Sequence, residues 1–584
     1  MRAGPKLLAC ILLAGVAGCF PSQMGPNWPI TQPQKSFGEM DAALTQVAPP
    51  VANAVTGQRI AAARSEPQNW LTYYGAYDGE RFSALDQINA RNVAKLAPAW
   101  VFQASPIGLV AQPPSYALEA APLVVDGIMY MSGYDGYVWA INAATGEELW
   151  RYRHAVPLDV TFCCGNVSRG VAVAQGRVFY SSPNGNLVAL DATTGKPIWS
   201  HVWLDVRAGE TSTMAPLVVK NLLILGSSGA EFGVRGHIDA FDMMTGQRVW
   251  RRYTVPAPGE PGSETWGNKD AGFRGGGSAW VTGTYDPALD TVYWSTGNPS
   301  PDFDGTVRPG DNLFTDSVLA LDPNTGAIKW HYQYTPHDQW DYDGVNEDIL
   351  FDNGGRRLLA HFDRNGYMYV LDRTSGQPVS VTPFGERITW GRYDAASQRF
   401  VDLKPPVSGG AEVCPGPAGA KEWPHASYSR STGLLYTPFI DACATFRQFP
   451  TTFKEGLAYF GGDFTVYPQQ MNGGGVKALR PDGSVAWVWR YKFPIVSSTL
   501  STAGDLIFVG TPDGLFLALD ANSGRQLWQF RTGTGIHSNP VTYSVGGRQY
   551  VAVPTGWGGW VKGFAPNLFG RSRGAAVFTF ALPR

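Results

Sequence analysis

Apolar residues in this chain come in short runs punctuated by turn formers, without the spacing of a long amphipathic helix. Ala121-Pro122-Leu123-Val124-Val125-Asp126-Gly127 and Ala215-Pro216-Leu217-Val218-Val219 read as buried β-strands bounded by turns. Such strand signals precede the copies of one eleven-residue pattern: Ala, any residue, Asp or Asn, two of any kind, Thr or Ser, Gly, three of any kind, Trp. Clear copies occupy 140–150, 189–199, 240–250, 320–330 and 518–528, and degraded ones lie at 370–380 and around 478–487. The pattern predicts an apolar strand ending at Asp, a turn in which Gly supplies positive φ, and a second strand carrying Trp.

Trp150, Trp199 and Trp250 are 49 and 51 positions apart, the length of a four-stranded propeller blade. A Trp recurring once per blade can dock between neighbouring sheets and bury a large apolar area. The chain is therefore predicted to be all-β: an eight-bladed β-propeller with tryptophan-docking repeats over 65–584, with seven blades as the alternative. Composition agrees, since Gly numbers 69, Pro 43 and charged residues are only 16%, as many short strands joined by turns require. The formal net charge of −2 leaves no basic excess to neutralise phosphates, which argues against a nucleic-acid or anionic-membrane partner.

Arg2 and Lys6 precede an apolar run from Leu7 to Gly18. Its charge and length are those of a secretory signal, and it is too short to span a bilayer. The run ends Val16-Ala17-Gly18-Cys19, which resembles a bacterial lipobox. Residues 1–18 are thus expected to be a cleaved signal, with Cys19 lipidated; ordinary cleavage nearby, losing Cys10 and Cys19, is the other reading. Residues 19–64, rich in Pro, Gln and Ala, are expected to form a tether or N-terminal extension. Either way the mature chain reaches the periplasm, where disulfides form. Cys163, Cys164, Cys414 and Cys443 remain, none in a C-x-x-C-H haem motif, so a haem-bearing acceptor must be a separate protein.

The most specific segment is Phe162-Cys163-Cys164-Gly165-Asn166-Val167-Ser168-Arg169-Gly170. Adjacent cysteines bond only by closing a small ring that strains the peptide between them, and such strain points to function. With Arg274-Gly275-Gly276-Gly277-Ser278-Ala279-Trp280 and the repeat, this segment makes residues 66–583 resemble type I PQQ-dependent alcohol and methanol dehydrogenases. The resemblance implies that pyrroloquinoline quinone (PQQ) lies between a Cys163–Cys164 disulfide and the Trp280 indole, held by dispersion and shape. It implies that Arg169 meets the quinone's carboxylates and that Ser278, where the family often has Thr, keeps a hydroxyl donor. Glu119, Thr213, Ser228, Gly229 and Ala230 fall where the family binds the quinone's edge, and hydroxyls, backbone N–H groups and Arg169 suit a tricarboxylate. Cys414 and Cys443 correspond to the family's second, structural disulfide.

Glu231 in Ser228-Gly229-Ala230-Glu231-Phe232, Asn298 in Thr296-Gly297-Asn298-Pro299 and Asp341 in Trp340-Asp341-Tyr342-Asp343-Gly344 match the family's carboxylate ligand, amide ligand and catalytic base. These hard oxygen donors suit a hard cation, not zinc or copper. Residues two apart on an extended segment face the same way, so Asp341 and Asp343 are expected to address one ion. Calcium-type relatives usually carry a small residue at the second position, whereas lanthanide-type ones carry Asp. The added carboxylate points to a lanthanide, with Ca²⁺ as the alternative. The implied mechanism has the ion polarise the quinone's C5 carbonyl while Asp341 takes the hydroxyl proton of a primary alcohol as hydride passes to C5. Arg364, in His361-Phe362-Asp363-Arg364-Asn365-Gly366, contacts the cofactor and donates hydrogen bonds to the same oxygen. Electrons then pass singly to a separate c-type cytochrome.

Two departures from the family stand out. Glu422, in Lys421-Glu422-Trp423, replaces an Asn whose amide contacts the quinone, and is left outside the expected site. Pro494-Ile495-Val496-Ser497 lacks the Trp or Gly of some relatives, which implies a roomier pocket. Rival readings are a PQQ dehydrogenase of polyols, sugars or aldehydes, and a non-catalytic propeller lipoprotein acting as a scaffold. A homodimer is left open.

Overall fold

The computed structural model describes residues 55–104, 117–157, 162–268, 270–559, 561 and 574–584. The signal-like run, the lipobox and Cys19 lie outside the described residues. Each repeat builds the same sheet. In the first, strands Leu123–Val125, Ile128–Ser132, Tyr137–Asn142 and Glu148–Arg153 pair antiparallel in chain order. A register shift after Ala140 sets Ala140 directly opposite Trp150. The same bulge sets Ala189 opposite Trp199, Ala240 opposite Trp250, Ala320 opposite Trp330, and Ala518 opposite Trp528. The pattern opens on Ala because a larger side chain would compete with the indole for the same face of the strand pair.

The turn residues are equally determined. Asp191 Oδ1 accepts the backbone N–H groups of Thr193 and Thr194 at 3.1 and 2.8 Å and the Thr194 hydroxyl at 2.8 Å, and Asp242 and Asp520 repeat the arrangement. Gly195, at φ 69°, lies so close to Trp150 that an added Cβ would sit 2.6 Å from the indole. Trp150 Nε1 donates to the Ala192 carbonyl at 3.0 Å. Trp150 thus docks on the glycine turn of the following sheet; Trp250 does so on Gly326, donating to Pro323, and Trp487 on Gly524, donating to Ala521, whereas Trp528 donates to the Leu96 carbonyl.

Among the described residues there are seven four-stranded sheets and one of five strands, with smaller two- and three-stranded additions. The molecule is an all-β propeller. One sheet joins the two ends of the chain: Ala97–Gln103 pairs with Ala575–Ala581, which continues through Arg548–Gly556 to Val541–Val545. Trp100 is its docking residue, donating to the Ala143 carbonyl at 3.1 Å beside Gly146. The eleven-residue pattern misses this sheet because its Trp precedes the first repeat. Residues 55–64, at the end of the segment read as a tether, include the buried Val55 and Ile60 and the short helix Gly57–Ala61.

Strands alternate in direction within a sheet, so two kinds of link emerge at the same end. They are the link between second and third strands and the link from the fourth strand to the next sheet. The Asp-Gly turns occupy the opposite end. Every expected site residue falls on the first end: Glu119, Cys163, Cys164, Arg169, Thr213, Ser278, Trp280, Asp341 and Asp343 on inter-sheet links, and Ser228 to Glu231, Asn298 and Arg364 on second-to-third links. Cys414 and Cys443 are bonded, with Cα atoms 4.3 Å apart, beside the three-stranded addition of Ala411–Val413, Ala444–Gln448 and Gly462–Thr465.

Candidate active site

Arg169 organises one half of the site. It is buried, with Nη2 3.0 Å from Glu119 Oε2. Its Nη1 donates to Thr213 Oγ1 at 2.5 Å, and that hydroxyl donates to the Trp280 carbonyl at 3.4 Å. The guanidinium stands 4.7 Å from the Trp280 ring centre and 4.6 Å from that of Trp423. Cys163 and Cys164 are paired, and their sulfurs lie within 4.8 Å of a Glu231 carboxylate oxygen. Arg169 Nε, Asn166 Oδ1, Ser228 Oγ and Trp423 Nε1 are buried without hydrogen-bond partners. Unmet polar atoms are costly in a finished core; those of Arg169 and Trp423, whose side chains meet here, suit a flat, polar-edged ligand. Burial pushes the Glu119 carboxyl up to about 7, Arg169 opposing and Glu422 adding to the shift.

Arg364 organises the other half. Its guanidinium faces Asp341 Oδ1 at 3.7 Å and Asp343 Oδ2 at 3.3 Å, and bonds Glu422. Glu422 also accepts the Trp423 N–H at 2.7 Å, so the acidic replacement is ion-paired to Arg364. Asp343 further accepts Trp280 Nε1 at 3.0 Å and the Asn298 backbone N–H at 3.3 Å. Asn298 Oδ1 is buried with no partner. The expectation of an extended segment at 341–343 is corrected: Asp341 and Asp343 have φ of 61° and 43°. Asp338 is the cause, because its carboxylate accepts the N–H groups of Trp340 and Tyr342, both at 2.8 Å, and coils the chain. Both aspartates nevertheless reach Arg364.

Burial holds the Asp341 carboxyl well above its ordinary range; Arg364 opposes, while Asp302, Asp343 and Glu231 add to the shift. Asp343 is pushed up to about 7 by burial, against Arg364 and with Glu231 and Glu422. Glu231 is also raised by burial. Such a cluster favours a cation, whose charge reverses all three shifts. The donor set is all oxygen, and the orphaned Asn298 Oδ1 completes it, so these residues fit a hard ion. Among the described residues, Glu231, Asp341 and Asp343 do not form a trio of oxygens within 4.8 Å of one another. Arg364 stands between carboxylates, and oxygens on opposite sides of one ion span about 5 Å. The trio that does meet this distance is Cys163, Cys164 and Glu231; paired sulfurs are not thiolates, so it records the disulfide lying against Glu231.

Residues 70–389 and 469–551 match the PQQ family described as glucose/ethanol/alcohol dehydrogenase, beta-propeller domain. The quinoprotein alcohol dehydrogenase PedH of Pseudomonas putida is 37% identical over 91% of this chain and 94% of its own length. The chain belongs to the PQQ-dependent alcohol dehydrogenase family. A lanthanide-dependent methanol dehydrogenase of Methylorubrum extorquens is 34% identical over 91% of this chain and 93% of its own. A solved europium-containing methanol dehydrogenase superposes with a TM-score of 0.84 at 34% identity, covering 90% of this chain and all of that one.

Around this candidate site, sequence reasoning missed three buried residues. Glu422 was set aside on its charge, yet it is Arg364's shortest ionic contact. Trp423, beside it, presents a ring to Arg169. Asp302 is buried, and the charge of Glu231 adds to the upward shift of its carboxyl. Trp423 had a signal, since it adjoins a segment already compared with the family. Asp302 had none, because an Asp before Phe303 reads as an ordinary turn residue.

Proposed function

We propose that this chain is a periplasmic enzyme that oxidises primary alcohols to aldehydes with PQQ and one lanthanide ion. Its eight larger sheets are then the eight blades of a single propeller. The observation that carries the reading is the unpartnered Asn298 Oδ1 beside an Asp343 held by Trp280, Asn298 and Arg364. When bound, the ion supplies Lewis acidity and the quinone a two-electron acceptor.

Glu231, Asn298, Asp341 and Asp343 would hold the ion. Cys163–Cys164 and Trp280 would flank the quinone, with Glu119, Arg169, Thr213, Ser228, Gly229, Ala230 and Ser278 about its edge. The Asp341 carboxylate takes the hydroxyl proton of the alcohol, the cation keeping it ionised beforehand. Arg364 Nη1, which already donates to the Asp341 carbonyl at 3.1 Å, steadies the charge that develops on the alcohol oxygen. Glu422 fixes the guanidinium from the far side. A separate c-type cytochrome would collect the electrons, and lipidation at Cys19 would tether the enzyme to the membrane.

Dye-linked ethanol oxidation, with PQQ and either La³⁺ or Ca²⁺, tests the proposal. Activity with La³⁺ and not Ca²⁺ is the expected result. Activity with Ca²⁺ alone would remove the lanthanide, and no quinone binding in either arm would favour a scaffold.

A further inference from the structure

Asp302 has no part in the chemistry above, yet its position is unusual. The residue is 1% exposed, and its Oδ1 has no hydrogen-bond partner. It lies in the link between strands Thr291–Ser295 and Ser317–Leu321, the link that carries Asn298. Arg308, fully buried, fixes this stretch of backbone. Its Nε donates to the Pro301 carbonyl at 3.1 Å, and its Nη2 to the carbonyls of Asp302 and Asp338 at 3.1 and 2.5 Å. Its Nη1 donates to Asn312 Oδ1 at 2.8 Å. The Asn298 link is thereby tied to the loop that presents Asp341 and Asp343. Arg308 directs these bonds to carbonyls and an amide, and none to the Asp302 carboxylate. Arg364 is already engaged by Asp341, Asp343 and Glu422.

Burial holds the Asp302 carboxyl well above its ordinary range, Glu231, Asp338 and Asp343 adding to the shift and Arg308 opposing it, and Asp302 in turn adds to the shift of Asp341. A buried carboxylate with an open oxygen is costly unless a cation answers it, and Arg308 answers Asp302 by charge without donating a hydrogen bond to its carboxylate. The nearby place prepared for one is the cluster of Glu231, Asn298, Asp341 and Asp343. We propose that Asp302 is a further carboxylate of the cation site, and that its negative charge adds to that of Asp343 in favouring a trivalent over a divalent ion. This rests on the reading that the cluster holds the ion.

The test uses the PQQ-loaded full chain, stripped of metal and titrated with Tb³⁺ by luminescence and with Ca²⁺ by calorimetry. Asp302→Asn keeps shape and burial while removing charge. Tb³⁺ affinity is expected to fall about tenfold or more, and the logarithmic loss for Tb³⁺ to be about 1.5 times that for Ca²⁺, as ionic charge dictates. Should Asp302→Asn fail to reach a wild-type melting temperature, Asp302→Ser is read in its place. Unchanged Tb³⁺ affinity in the Asp302 variant, with loss in Asp343→Ala, overturns the role of Asp302 and leaves the site standing. Unchanged affinity in both Asp302→Asn and Asp343→Ala overturns the cation site itself. Equal logarithmic losses for the two ions overturn the selectivity claim.

Discussion

Replacing Gly297 by Ala probes the seat of Asp343 directly. Gly297 has no positive φ in this structure, so Ala is compatible with its backbone. What the substitution meets is a side chain: an added Cβ would lie 2.0 Å from Asp343 Oδ1 and 3.1 Å from the Ser278 carbonyl. Asp343 must retreat by about 1 Å or more to regain an ordinary contact distance. It then loses registration with Trp280 Nε1 and the Asn298 N–H, which it now meets at 3.0 and 3.3 Å. A misplacement of that size at a reacting centre costs about 10²-fold in rate. The expected outcome is a loss of that order in La³⁺-supported alcohol oxidation, weaker Tb³⁺ binding, and little change in the melting temperature. A cycle with Asp343→Ala isolates the cause. If the seat of Asp343 is the reason, Gly297→Ala costs almost nothing further in the Asp343→Ala background. Full lanthanide activity in the single variant, or simple additivity in the double, would refute the argument.

Trp250→Ala removes a docking indole that is 9% exposed, along with its bond to Pro323; a loss of about 3–5 kcal/mol should appear in denaturant unfolding, with quinone binding retained below the transition. Asp338→Asn leaves the Trp340 and Tyr342 N–H groups only one good acceptor between them. Weaker Tb³⁺ binding is expected with about 1–3 kcal/mol of lost stability, and wild-type affinity would show that the coil at 341–343 does not depend on this carboxylate. With Asp343 pushed up to about 7 and the Asp341 and Glu231 carboxyls also raised, the ion must displace protons at lower pH, so La³⁺ affinity should fall by at least about tenfold per pH unit below 7. The sign is opposite for the ion-free protein: a raised carboxyl stabilises the fold while protonated, and that contribution is lost as pH rises through 7. A flat affinity profile from pH 5 to pH 8, measured by titration calorimetry, would count against both statements.

The repeat was legible because its physics is local. Asp, Gly and Trp stand at fixed spacings for reasons of turn geometry and docking that hold within one sheet and its neighbour. The sheet shared by the chain ends was not legible, since Trp100 and Ala575–Ala581 are brought together only by closure of the whole ring. Candidate residues with a local motif, such as Cys163, Cys164 and Arg169, could be singled out from the chain alone. Asp341 and Asp343 were expected on an extended segment; the carboxylate of Asp338 makes it a coil, from which both still face Arg364. Glu422 was left outside the expected site, and its ion pair could not be read from the chain because its partner, Arg364, is 58 positions away. Asp302 was invisible for a similar reason: its neighbours Glu231 and Asp341 come from other links.

The pairing of Ala97–Gln103 with Ala575–Ala581 makes the molecule a clasp whose two halves are made at opposite ends of synthesis. The early strand must wait, one edge open, for almost the entire remaining chain to arrive. Until then Trp528 lacks the finished neighbour whose Leu96 carbonyl it grips at 3.0 Å, and the circle has a gap on both sides. A repeat array open at its ends can tolerate trimming one unit at a time. A closed ring does not share that tolerance, because removing the last strand undoes the join on which every other sheet relies.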